Sequence, residues 1–316
     1  MRKFVLAVLF AIAVVPSYAE EACTLKRIAV IPFETDETAQ IYLPAIIAGK
    51  PTRLMLDTGA YWSLIDEDLA KSLNLKIQTT YDMWLIDVTG EKTNTYVTVP
   101  EMKLGDITFS VPIDFFTMHS TGRIGGLLGL NFFAGWDLEI DNAGKTISFF
   151  MQDHCEGAGV HWADEAVTLR FTRQKKDLPI GTRIRTQKDY EPINMPLVGA
   201  DLEGEEVRTL FNTGATVTSI DLDHAKRRFG IGPGSPGVEP AGVAYSATGK
   251  AIDFYSYTFK SLTISGIRFE NVPVHLGKFE RADLILGMHE LKYLHLYFAF
   301  KDGMIHITAA DAGRPQ

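Results

Sequence analysis

The chain has 316 residues, 46% of them hydrophobic, which suits two domains of ordinary size with real cores. A net charge of -8 and a pI near 5.5 argue against nucleic-acid binding, which needs a concentrated basic surface. Two cysteines are too few for a disulfide-built fold and do not spell a zinc site.

Residues 1–19 read as a secretory signal peptide. Arg2 and Lys3 precede an apolar run from Phe4 to Val15, and Pro16-Ser17-Tyr18-Ala19 supplies a cleavage site after Ala19. The run is short for a membrane span, and no later stretch approaches its length. The expectation is therefore an exported protein, periplasmic or secreted, without a stable membrane span; an uncleaved anchor is the other reading. Cys23 and Cys155 bracket the first half of the mature chain. In an oxidising compartment such a pair is a disulfide candidate, with two separate buried thiols as the alternative.

From there the chain is written twice. Residues 57–70, DTGAYWSLIDEDLA, align without a gap with residues 212–225, NTGATVTSIDLDHA, and seven positions coincide. Upstream, Ile41-Tyr42-Leu43-Pro44 resembles Ile193-Asn194-Met195-Pro196. Downstream, Val88-Thr89-Gly90-Glu91-Lys92 resembles Ala247-Thr248-Gly249-Lys250, and Gly126-Leu127-Leu128-Gly129-Leu130 resembles Leu284-Ile285-Leu286-Gly287-Met288. A period this long is a domain duplication, not a stacking repeat. The expected units are 24–153, a linker over 154–190, and 191–310.

Within each copy the patterns are mainly β. Tyr96–Val99, Thr146–Phe149 and Tyr255–Phe259 predict strands. Asp141–Lys145 and Lys301-Asp302-Gly303 predict matching turns before a closing strand. One short helix is expected after each repeated phrase, N-capped by Asp66 and by Asp221. The linker is expected to add a strand of its own, Val167–Phe171.

Asp-Thr-Gly alone is simply a good turn: Asp bonds nearby amides and Gly accepts positive φ. Its context here is more specific. Each copy follows an apolar strand, Leu54-Met55-Leu56 or Thr209-Leu210-Phe211, and each is answered downstream by an apolar pair and Gly, Leu127-Leu128-Gly129 or Ile285-Leu286-Gly287. On these elements the chain resembles the retropepsin/pepsin-like aspartic proteases in their bacterial two-lobe form. The resemblance implies an all-β fold of two homologous β-barrel lobes with a cleft between them and few short helices. It implies Asp57 and the position of Asn212 as the catalytic pair. Thr58, Gly59, Ala60, Thr213, Gly214 and Ala215 would support the two loops, and a β-hairpin flap would run through Trp84, Thr89 and Gly90. Trp84 reads equally as cleft wall or as core. A peptide or protein substrate is implied, with no metal and no cofactor; the oligomeric state is left open.

Asn212 departs from the family pattern. Two carboxylates held close cannot both ionise comfortably, so one keeps a proton: the ionised one activates water and the protonated one stabilises the developing charge. An amide is nearly isosteric with a protonated carboxyl but exchanges no proton, and no second acid faces the leaving amine. Two functions follow: an exported aspartic-type endopeptidase working through Asp57, or a catalytically impaired pseudoprotease that binds peptides or acts as a scaffold. His119, His161, His224 and His275 stand beside no nucleophile motif and read as surface or structural residues.

Overall fold

The computed structural model describes residues 25–119, 124–133, 135–152, 160–171, 195–279 and 282–312, and the backbone of 178–179 and 190–191. Residues 1–19 and both cysteines, Cys23 and Cys155, lie outside the described residues. The chain is mostly strand, with four short helices among the described residues.

Each copy builds its own sheet around the same crossing. In the first, strand Gly126–Leu128 runs parallel to Lys50–Leu56 and antiparallel to Leu64–Asp66. In the second, Leu284–Leu286 runs parallel to Glu205–Phe211 and antiparallel to Ser219–Asp221. The apolar pair before each glycine is thus a central strand, buried on both faces, which explains why it does not alternate. Lys50–Leu56 is exposed at its start and fully buried at its end, so it delivers the chain from the surface into the interior at Asp57. Large side chains close the core, among them Phe115, Phe116, Phe133 and Phe149 in the first copy and Phe211, Phe259 and Phe298 in the second.

The two helices after the repeated phrases form as their caps dictate. The Asp66 carboxylate accepts from Leu69 N at 2.9 Å at the start of helix Glu67–Ser72. The Asp221 carboxylate accepts from His224 N at 2.8 Å at the start of Leu222–Phe229. The second helix ends on Gly230 at φ 67°, a left-handed stop that suits glycine.

A third, six-stranded sheet joins the copies. It runs Arg27–Pro32, Thr146–Phe150, Asp137–Asp141, Leu294–Ala299, Met304–Ala309, Val167–Arg170. Its central pair, Asp137–Asp141 against Leu294–Ala299, brings one strand from each copy together. The last member, Val167–Arg170, comes from the segment between the copies, where a strand was expected.

Candidate active site

The two repeated loops meet. Asp57 N donates to Leu128 O at 3.0 Å, and Asn212 N donates to Leu286 O at 3.0 Å, so each loop leaves its strand against the apolar pair of its own copy. Behind that pair the glycine is forced by contact. A Cβ on Gly129 would stand 2.6 Å from Trp62 O, and one on Gly287 would stand 2.7 Å from the Val217 carbonyl carbon. The helical turns that follow then cap the loops: Leu130 N donates to Ala60 O at 2.9 Å and Met288 N to Ala215 O at 2.8 Å. Ser63 and Thr218 occupy equivalent places, each hydroxyl accepting from the following glycine, Gly129 N or Gly287 N, at 3.1 Å.

The threonines lock one loop to the other. Thr58 Oγ1 donates to Phe211 O at 2.7 Å and Thr213 Oγ1 to Leu56 O at 2.7 Å. Each hydroxyl also accepts across the junction, from Thr213 N at 3.2 Å and from Thr58 N at 3.1 Å. Both threonines are buried, so these four bonds have no water to replace them. Thr213→Val is expected to lower unfolding free energy by about 2 kcal/mol, read from the urea midpoint, because Leu56 O and Thr58 N lose their partner.

The side chains that the loops present are crossed. Asn212 lies over Gly59, and Asp57 lies over Gly214, each so close that a Cβ on the glycine would overlap it. Any larger residue at either glycine would push the two loops apart. Asp57 is buried, with Oδ1 accepting from Gly59 N at 2.9 Å and Ala60 N at 3.0 Å. Asn212 is half-buried, and its Oδ1 accepts from Gly214 N at 2.8 Å. That backbone donor fixes the amide orientation: oxygen toward the loop, NH2 away from it. Ala215 N closes its turn on Asn212 O at 3.2 Å.

A family model described as Aspartyl protease matches residues 43–132, and one described as gag-polyprotein putative aspartyl protease matches residues 198–293. The chain carries two retropepsin-like aspartyl-protease domains in tandem. No curated protein matches it.

In these retropepsin-like domains the hairpin expected around Trp84 is present, with strands Leu85–Ile86 and Lys92–Thr93 and a tight turn carrying Thr89 and Gly90 between them. Met83, Leu85 and Asp87 are buried, while Trp84 is 48% exposed and Ile86 is exposed beside it. Trp84 is therefore not a core residue; the buried tryptophan is Trp62, whose ring packs edge-on against Tyr61 and Phe116. The second domain sends out a longer hairpin, Glu239–Tyr245 and Ala251–Ile264, and the two tips touch. There Asp87 accepts the Thr248 hydroxyl at 2.6 Å. Burial alone would raise its pKa, but the hydroxyls of Ser246, Thr248 and Thr89 hold it down at about 2.

Several residues that bind the domains together carry no motif. Gln40 Nε2 donates to Gly214 O at 2.8 Å, tying the start of the first domain to the loop of the second. Glu139 accepts from His161 at 3.1 Å and His295 at 3.0 Å inside the shared sheet. Of the histidines, His224 is buried with Nδ1 3.4 Å from Asp283, and the backbone N–H of His119 donates to Ala247 O at 2.9 Å. Among the described residues no His, Cys, Asp and Glu group is arranged to hold a metal ion, and no helix is long and apolar enough to cross a membrane.

Proposed function

We propose that this is an exported aspartic-type endopeptidase, residues 1–19 serving as its signal peptide, that cleaves extended peptides slowly through Asp57. The observation that carries this reading is the crossed pair over Gly59 and Gly214, held by four threonine bonds. A water between the two side chains gives a proton to Asp57 and its oxygen to the scissile carbonyl carbon. The carbonyl oxygen becomes an oxyanion facing the Asn212 NH2, a neutral donor. When the carbonyl re-forms and the C–N bond breaks, Asp57 returns the proton to the leaving amine, so one carboxylate serves in turn as base and acid. Thr58, Thr213, Gln40 and the loop glycines hold the geometry.

A second reading, a peptide-binding pseudoprotease, is favoured by the orientation of Asn212. Its oxygen is committed to Gly214 N, so the group that faces a ligand neither ionises nor carries a proton through the cycle. The two readings separate on one experiment. The mature protein and Asp57→Asn are incubated with a diverse peptide library between pH 3 and pH 7. Cleavage by the natural chain that disappears in Asp57→Asn supports the endopeptidase. Binding without cleavage supports the pseudoprotease, and neither binding nor cleavage sinks both.

A further inference from the structure

We propose that Glu290 is a positioning residue for Asn212: a buried carboxylate that ends a hydrogen-bond relay running from the Asn212 backbone and anchors the second loop by a charge. Its bearing on turnover rests on the endopeptidase reading above; the anchor itself does not.

The relay passes through one peptide unit. Asn212 N donates to Leu286 O at 3.0 Å, and the N–H of that same peptide, Gly287 N, donates to Thr218 Oγ1 at 3.1 Å. The Thr218 hydroxyl in turn donates to Glu290 Oε2. Its single hydrogen goes to the carboxylate, which leaves a lone pair turned toward Gly287 N. Every donor thus points the same way, from Asn212 toward Glu290, and bonds aligned in this sense polarise one another. Glu290 is 3% exposed, and its other oxygen meets Nδ1 of the half-exposed His289 at 2.6 Å. A carboxylate so buried needs such partners on both oxygens.

The first domain runs the same relay to a neutral end. Asp57 N donates to Leu128 O at 3.0 Å, Gly129 N to Ser63 Oγ at 3.1 Å, and the Ser63 hydroxyl to Asn131 Oδ1 at 2.9 Å. Counted from the shared glycine, Gly129 or Gly287, Asn131 stands where the second domain has His289, and Phe132 where it has Glu290. Phe132 is buried and packs on Phe109, Phe133 and Trp136. The ionisable tip, Asp57, therefore has a neutral anchor, and the neutral tip, Asn212, has a charged one. Hydrogen bonds to a charged acceptor are roughly twice as strong as those between neutral groups, so the charge holds the second loop more firmly. With no proton to exchange, the Asn212 NH2 helps only by standing where the oxyanion forms, and the anchor supplies that placing.

The test compares the mature chain with Glu290→Gln, which keeps an acceptor for Thr218 and removes the charge. Hydrogen exchange of the Asn212 and Gly287 amides is expected to rise about fivefold or more, while Asp57 and Gly129 stay within about twofold of the natural chain. Thr218→Ser, which keeps a hydroxyl as Ser63 does, is expected to leave all four amides within about twofold. On a library-selected peptide, Glu290→Gln is expected to lower kcat by about fivefold at unchanged KM. Unchanged exchange at Asn212 and Gly287 overturns the anchor, and so does an equal rise at Asp57 and Gly129, which would mean a general loss of stability. A rise in Thr218→Ser as large as in Glu290→Gln would place the effect in packing and overturn it too. Raised exchange with unchanged kcat overturns the bearing on turnover. If neither protein cleaves any peptide, the endopeptidase reading fails while exchange still decides the anchor.

Discussion

Asn212→Asp is expected to raise peptide cleavage by about 10²–10⁴-fold, because it restores a second proton-exchanging group to a site otherwise assembled for two. The substitution is nearly isosteric, and Gly214 N already donates to the oxygen that a carboxylate would keep. Its place over Gly59, opposite Asp57 over Gly214, puts the new carboxyl where the two share one proton. The gain is therefore expected at acidic pH and should fade as pH rises and that proton is lost. The same variant should lose stability over that rise, since two carboxylates forced together resist the second ionisation. Both are read from kcat/KM and thermal midpoints across pH 3–7 on one library-selected peptide. A variant no faster than the natural chain at any pH would show that the asparagine is not what limits turnover.

The paired loops were legible in the chain because the duplication wrote them twice. The coincidence of Thr58-Gly59-Ala60 with Thr213-Gly214-Ala215, and of the two apolar-apolar-glycine runs, located both loops and the strands behind them. Gly129 and Gly287 are constrained within their own copy by close approach, and Ser63 and Thr218 by the amides they accept, while Gly59 and Gly214 are closed over by the other copy. The cross-domain contacts away from the two threonines were not legible. Gln40 with Gly214, Asp87 with Thr248 and Glu139 with His295 join residues more than 150 positions apart, and no periodicity links them. Trp84 was undecidable for a different reason. A single aromatic just before a two-residue strand has no pattern to orient it, and its direction follows only from Met83 and Leu85 turning inward on either side.

Glu139→Gln is expected to cost roughly 3 kcal/mol at pH 7 and to flatten the acid limb of the stability profile. Glu139 is buried on the strand of the first domain that pairs with Leu294–Ala299 of the second. Burial by itself would raise its pKa; hydrogen bonds from His161, His295 and Ser148 outweigh that and hold it at about 2, against an ordinary 4.5. Trp162 stacks on His295 with ring centres 3.7 Å apart and donates its indole N–H to Thr308 at 2.9 Å, so the imidazole is held in place for the bond. A carboxyl whose pKa is depressed on folding contributes its full stabilisation above about 4.5 and loses it as pH falls through about 2. The natural chain should thus weaken over that interval, and Glu139→Gln, which has no charge to lose, should weaken less. Because Glu139 joins the domains away from the two paired loops, the loss should appear first as separation of the two domains. Urea unfolding at pH 2, 3, 5 and 7, followed by the fluorescence of Trp162 at the shared sheet and Trp62 in the first core, measures both effects. Equal acid slopes for the two proteins would mean that Glu139 carries no pH-dependent share of the clamp.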